Sequence, residues 1–173
     1  MPAPSVSTLD AADLPLDAFQ VRVQAEVFDA STETTGLVAG RTDVGAVVTF
    51  TGLCRADDQN GTPLAALTLE HYPGMAEEEM DRLLQEARTR WPLSGARLVH
   101  RYGRMVPGDP IVLVVTASAH RGAAFAAAEF LMDWLKTNAP FWKKEERPGT
   151  AADGTWVEAK GTDDAAADRW QKG

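Results

Sequence analysis

Alternation of apolar and polar residues predicts the first elements of the chain. From residue 20 to residue 27, valine and alanine occupy every second position between charged or amide side chains, which is the period of a half-buried strand. Residues 29–40 suit a short helix that ends at a glycine. The apolar, β-branched run at 45–53 predicts a central strand, and the polar residues 55–61 have the composition of a turn.

Two later segments carry apolar residues at the three-to-four spacing of a helix that packs on a core. The first begins after the Pro-Gly break at 73–74 and ends at Trp91. The second begins where Ser118 can cap it, and Asn138 and Pro140 stop it. The predicted core positions of the two helices are Met80, Leu83, Leu84, Ala87 and Trp91, then Phe125, Ala128, Leu131, Met132 and Leu135.

The remaining apolar runs predict strands. Residues 64–71 have strand character, and residues 96–105 and 111–118 are joined by a Pro-Gly-Asp turn at 107–109, which predicts an antiparallel hairpin. Residues 154–159 add one more short strand. The order of these elements predicts an α+β domain with a mainly antiparallel sheet and two principal helices.

The chain of 173 residues shows no internal repeat and no linker, so we expect one domain at residues 19–160. Residues 1–18 are predicted to form a loosely ordered lead-in, and residues 161–173 a tail. No apolar stretch approaches the ~18 residues of a membrane span, and the N-terminus lacks the layout of a secretory signal. These features predict a cytoplasmic protein that does not bind a membrane.

The balance of charges limits the kinds of partner. Lys and Arg number 17 against 25 Asp and Glu, which gives a formal net charge of −8 and argues against a general nucleic-acid binder. Any anion site must therefore be local. His71 and His100 lie at predicted strand ends with no other ligand at a suitable spacing, so we expect no metal. The single cysteine, Cys54, fits a small buried hydrophobic residue better than a nucleophile.

A first candidate anion site lies where a strand passes into the second principal helix. Ser118, His120 and Arg121 stand at this junction, where free backbone N–H groups and the positive end of the helix dipole meet. Together they offer the donors that a phosphate ester requires. The alternative is a capped helix start with a packed histidine and a solvated arginine.

A second group of cations follows that helix. Because Asn and Pro break the helix, Lys136 and Lys143 can converge on one pocket walled by the aromatic residues 141–142, where a lysine pKa would be lowered. Arg55 would be a further cation for the same site, and we expect all of these positively charged side chains to gather in one cavity. The alternatives are that Lys136 only complements the helix C-terminus, that residues 143–146 form a solvated charge run, and that Arg55 is a surface arginine.

Several separate segments together resemble the large, catalytic subunit of molybdopterin synthase, in the same order and from about residue 44 to about residue 159. The segments are 45–52 with Arg55, 69–75, 118–121, 132–136 and 139–145. The resemblance implies an α/β hammerhead-type fold and a sulfurtransferase that needs no cofactor. It implies a homodimer with a small ubiquitin-like subunit at each end, which makes a heterotetramer.

In this family the small subunit carries a C-terminal Gly-Gly thiocarboxylate and donates its sulfur to cyclic pyranopterin monophosphate, and two rounds form the dithiolene of molybdopterin. The resemblance implies that Lys136 and Lys143 are catalytic. The implied substrate-binding residues are Arg55, His120, Arg121, Lys144 and Glu145. Two other hypotheses stay open at this point, a non-catalytic receptor for a ubiquitin-like tail and a phosphate-ester hydrolase or acyl transferase that uses the same cations.

Overall fold

The computed structural model describes residues 18–58, 60–149, 154–157 and 170. The predicted lead-in and tail therefore lie almost wholly outside the described residues, as do the last two residues of the predicted strand at 154–159. In chain order the elements are β1 (Phe19–Gln24), α1 (Ala30–Val38), β2 (Ala46–Leu53), β3 (Ala66–His71), α2 (Met75–Arg90), β4 (Leu93–Arg101), β5 (Gly103–Met105), β6 (Pro110–Ser118), α3 (Arg121–Asn138), β7 (Phe141–Glu146) and β8 (Thr155–Val157).

The strands form two four-stranded sheets, with the orders β1-β4-β6-β2 and β5-β3-β7-β8. Every pairing is antiparallel except that of β1 with β4, which is parallel. The predicted α+β class with mainly antiparallel strands is confirmed. The sequence pattern predicted one sheet and did not indicate that the strands divide into two.

The predicted strand at 96–105 is in fact two strands. β4 ends at Arg101 and pairs antiparallel with β6, as the predicted hairpin requires, but β5 pairs with β3 in the other sheet. Gly103 makes the corner with a φ of 89°, a backbone conformation that residues other than glycine rarely adopt. The buried guanidinium of Arg101 fixes the corner, because it donates to the carbonyls of Ala25 and Pro110.

β2 lies at the edge of the first sheet, so the prediction of a central strand is wrong. It pairs with β6 on one side, and among the described residues no strand pairs with its other side. Thr49 and Phe50 point to opposite faces of the strand, yet both are exposed. Part of the apolar, β-branched run that predicted burial therefore faces solvent in the isolated chain, whereas Val48 packs against the core.

Helices cover both faces of the first sheet. α2 and α3 bury their apolar stripes against Leu98 and Val114 on one face, whereas Leu37 of α1 packs with Val99 and Leu113 on the other. Each fully buried leucine or phenylalanine contributes about 2 kcal/mol of hydrophobic stabilisation. In the described part of the chain, no helix combines the length and apolar character needed to cross a membrane.

Two expectations about α3 need correction. Its N-cap is His120, because Ser118 is still the last residue of β6 and its hydroxyl donates to the carbonyl of Pro92 at 2.8 Å. Phe125 is 63% exposed and does not belong to the buried stripe. The small side chains of Ala124 and Ala127 face the sheet instead and let the helix approach it closely. The helix ends at Asn138, as predicted.

Candidate functional site

Lys143 is held by a buried carboxylate. Its Nζ lies 2.7 Å from Oε1 of Glu145, a residue that is only 5% exposed. The other oxygen of Glu145 accepts from Nη2 of Arg147 at 3.2 Å, and the same nitrogen donates to Asp58 at 2.9 Å. The lysine amine is therefore positioned by a chain of ion pairs that begins in the loop after β2.

Alternation along β7 separates the residues that were predicted to bind substrate together. Phe141, Lys143 and Glu145 share one face of the strand with their cross-strand neighbour Leu69. Lys144 points to the opposite face, where its Nζ lies 5.8 Å from the ring centroid of Trp156. Glu145 is buried and engaged with two cations. The position of Glu145 is therefore suited to holding the Lys143 amine in place.

The loop that carries Arg55 is tied to β7 through Asp58. The Asp58 carboxylate accepts hydrogen bonds from the backbone N–H groups of Asn60 and Thr62 and pairs with Arg147. The bond from Thr62, followed by that from Arg147, holds the pKa of Asp58 well below its usual range. Arg55 itself is exposed.

Cys54 directly precedes Arg55 in the chain and is buried. Its side chain packs with Leu67, Leu69 and Met105 at the junction of the two sheets. Burial, assisted by the charge of Asp109, raises the pKa of the thiol, although the nearby charge of Lys143 opposes the shift. A thiol with a raised pKa is a poor nucleophile, which agrees with the predicted role as a small hydrophobic residue.

His120 and Arg121 form the exposed N-terminus of α3. The side chain of the N-cap residue His120 makes no capping hydrogen bond, so it does not occupy the first backbone N–H groups of the helix. The chain before β2 packs tightly here, because a Cβ on Gly45 would lie 2.3 Å from the carbonyl oxygen of Ala119. The junction has the outline of an anion site, and it adjoins the start of the edge strand.

Lys136 lies in the last turn of α3, fifteen residues beyond Arg121. At the rise of an α-helix, this places the two side chains about 22 Å apart along the axis. Leu135, the neighbour of Lys136, belongs to a buried apolar cluster, and Phe141 packs against the same cluster. Phe141 is two residues before Lys143 in the chain. The expectation that all the cations meet in one cavity does not hold within a single chain, because His120 and Arg121 lie at one end of the helix and Lys136 lies at the other.

Comparison with known proteins identifies the family. The model of the MoaE protein family matches residues 23–138. The chain belongs to this family. A relative from Mesorhizobium japonicum is 59% identical over 151 residues, which cover 87% of this chain and 92% of the relative. A relative from Rhizobium meliloti is 58% identical over 152 residues, or 88% of this chain and 96% of the relative.

A solved structure of a molybdopterin biosynthesis MoaE protein from Burkholderia ambifaria has the same fold. It superposes with a TM-score of 0.72 at 47% sequence identity and covers 87% of this chain and 97% of its own. Both sequence relatives are named molybdopterin synthase catalytic subunit. The family predicted from the sequence segments is confirmed, and the roles of the individual residues stay predictions.

The ion pairs behind Lys143 were missed at the sequence level. Asp58 and Arg147 are 89 positions apart, and no local pattern links them. The run Asp-Gln-Asn-Gly at 58–61 does carry the signal of an Asx turn, which could have identified the carboxylate as the organiser of its loop. Within the described residues, no group of three or more His, Cys, Asp or Glu side chains could hold a metal ion.

Proposed function

We infer that this chain is the catalytic subunit of a molybdopterin synthase, a sulfurtransferase of molybdenum cofactor biosynthesis. The observation that carries this conclusion is the match of the MoaE family model to residues 23–138, together with relatives of that name at 59% and 58% identity. The reaction moves sulfur from the C-terminal thiocarboxylate of a small ubiquitin-like subunit to cyclic pyranopterin monophosphate. Two transfers complete the dithiolene.

We propose that the active site is shared between two copies of the chain. The separation of about 22 Å between Arg121 and Lys136 is too large for one small phosphate ester to contact both within a chain. A homodimer removes this difficulty if the N-terminus of one α3 meets the C-terminal end of the other. Each dimer would then hold two equivalent sites, one at each end of its two-fold interface.

The free edge of β2 is suited to this interface. Ala46 pairs with Ser118, close to His120, whereas Leu53 at the other end of the strand lies two residues before Arg55. If two copies of β2 paired antiparallel across a two-fold axis, the start of one strand would lie beside the end of the other. The exposed apolar side chains of Val47, Phe50 and Leu53 support burial of this edge. His120 and Arg121 of one copy would then face Arg55 of the other.

In the proposed site, His120, Arg121 and the N–H groups of the helix start bind the phosphate. Arg55 neutralises further negative charge on the pterin or on the donor tail. Lys136 and Lys143 stabilise the charge that develops as the thiocarboxylate sulfur attacks the pterin side chain, and they move protons. Glu145 keeps the Lys143 amine in place through their ion pair.

Lys144 is proposed to contribute only through its positive charge, since it lies on the outer face of β7. The small subunit would insert its carboxyl-terminal tail towards Lys143, where local cations compensate for the formal charge of −8 on the chain. Two such partners on a homodimer make a heterotetramer. We also propose a cytoplasmic location, which the presence of a single cysteine supports.

Mixed dimers test both the activity and the shared site. Lys136→Ala and Arg121→Ala chains are expressed separately and together, and formation of the dithiolene is measured with thiocarboxylated small subunit and cyclic pterin. Activity is measured with the pterin well below KM, where the rate follows kcat/KM. Under this condition Lys136→Ala should be nearly inactive, and Arg121→Ala should keep about a tenth of wild-type activity or less. Random mixing puts half of the chains in mixed dimers, and each mixed dimer has one intact site of its two. Co-expression should therefore restore roughly a quarter of wild-type activity.

Two outcomes would contradict the proposal in different ways. Activity of the co-expressed mixture no higher than that of the two variants alone would mean that the site lies within one chain. A wild-type protein that binds the small subunit without converting the pterin would leave the non-catalytic receptor as the better hypothesis. Arg82→Ala is the matched control, because Arg82 is an exposed cation on α2 that pairs with Glu79 and Glu86.

A further inference from the structure

Phe141 links the two catalytic lysines. It is the first residue of β7, it lies two residues before Lys143 on the same face, and it follows the break that ends α3. Its backbone N–H donates to the carbonyl of Ala139 at 2.8 Å, so the turn between helix and strand is tight. Because β7 begins at this residue, its ring lies at the start of the strand that carries Lys143.

Two histidines from different sheets contact the ring of Phe141. His100 of β4 stacks on it with the ring centroids 3.9 Å apart and an angle of 16° between the planes. His71, the cross-strand neighbour on β3, lies at 5.9 Å. His71 is itself held by the ring of Tyr102 at 4.5 Å and by the carboxylate of Glu77, 3.8 Å from its Nε2. The start of β7 is therefore clamped to both sheets.

The ring of His100 is fixed in orientation and carries no charge near neutral pH. Its Nδ1 lies 2.9 Å from the carbonyl oxygen of Arg101, and because a carbonyl only accepts, Nδ1 must carry the hydrogen. Burial lowers the pKa of His100 to about 4. An aliphatic side chain would fill the same space without the cost of burying a polar ring. Apolar filling alone therefore does not account for a histidine here.

We propose that His100 is a positioning residue for Lys143 and acts through the stacked ring of Phe141. The flat imidazole fixes the ring of Phe141, and that ring fixes the first residues of β7 and the direction of the amine. This inference rests on the proposed role of Lys143 in sulfur transfer. Displacement of a catalytic group by about 1 Å can reduce a rate by up to about a hundredfold, so a modest change in this stack is enough to matter.

Two reciprocal substitutions separate stacking from hydrogen bonding. His100→Phe keeps a flat ring against Phe141 and loses the bond to the carbonyl of Arg101. His100→Asn keeps a donor for that carbonyl and loses the ring. In the complete complex, His100→Asn should lower kcat on the order of tenfold with KM for the cyclic pterin within about twofold, whereas His100→Phe should stay within about threefold of wild type.

Val99→Ala is the matched control for damage to β4. Val99 neighbours His100 on the same strand, is buried, and packs with the α1 side of the sheet. If Val99→Ala and His100→Asn lower Tm to a similar extent but only His100→Asn lowers kcat, the effect is positional. If both lower kcat equally, or if His100→Phe is as slow as His100→Asn, the proposal is overturned.

A second readout does not depend on sulfur transfer. The rate at which an acylating reagent labels the half-exposed amine of Lys143, followed by mass spectrometry as a function of pH, should change in His100→Asn and not in Val99→Ala. An unchanged profile in His100→Asn would overturn the positioning role. Failure of the wild-type protein to convert the pterin would instead count against the proposed function, because the labelling profile can still be measured.

Discussion

The two ends of α3 present positive charge in different ways. At the N-terminus, His120 and Arg121 are exposed, and the His120 side chain makes no capping hydrogen bond to the backbone N–H groups of the helix start. At the C-terminal end, Lys143 is paired with the buried carboxylate of Glu145, which Arg147 also contacts. The first arrangement suits capture of an anion from solvent, and the second suits an amine whose position must not vary during a reaction.

This difference predicts a division of labour between binding and chemistry. A residue that holds the substrate equally in the ground state and the transition state affects KM, whereas a group that acts only in the transition state affects kcat. The exposed end should therefore show its effect mainly in KM. The ion-paired end should show its effect mainly in kcat.

The largest effect is expected for Lys143→Ala. Loss of the amine removes both a proton carrier and a positive charge from the transition state, so kcat should fall by about 10²- to 10³-fold with little change in affinity for the cyclic pterin. Single-turnover conversion with thiocarboxylated small subunit measures the step directly. Lys144→Ala on the other face of β7 should lose far less, and equal losses in the two variants would contradict the assignment of Lys143 to the chemistry.

A smaller effect of a different kind is expected for Arg121→Ala. The variant should raise KM for the cyclic pterin by about tenfold, because one charge-assisted contact to the phosphate is lost, with kcat changed by less than about threefold. Inorganic phosphate should inhibit the wild-type enzyme competitively and the variant more weakly. Arg121→Lys keeps the charge without the planar fork and should lie between the two. A fall in kcat at unchanged KM would place Arg121 in the chemistry instead.

The sequence predicted the features that depend on neighbouring residues. The periods of two and of three to four located most strands and both long helices, and the paired segments 118–121 and 136–145 identified the cations of both ends. Features that depend on distant residues were not predictable in this way. The ion pair between Asp58 and Arg147 joins residues that are 89 positions apart in the chain. The edge position of β2 depends on which strands pair with β6, and those strands are distant in the sequence.

One error had a physical signal that the sequence already contained. A helix predicted from Ser118 to Asn138 is about 30 Å long, so its two ends could not both reach one small ligand. The expectation of a single cavity considered which charges were present and not how far a helix separates them. Distance along a predicted helix is therefore a useful test of any site that draws residues from both of its ends.

The smallest effect tests how the buried carboxylate of Glu145 holds the ion-paired end. In Glu145→Gln the side chain keeps its shape but loses the charge that pairs with Lys143 and Arg147. Both cations are more than a third exposed and can recover hydration, so the free energy of unfolding should fall by only about 1–2 kcal/mol. Because the Lys143 amine then loses its fixed position, kcat should also fall by about tenfold. Chemical denaturation and steady-state kinetics on the same sample measure both changes.

Arg104→Ala, which breaks an exposed ion pair with Glu146 on the other face of the sheet, is the control. If Glu145→Gln loses stability but keeps kcat, the carboxylate supports the fold alone, and the contrast between the two ends of α3 lies only in their exposure.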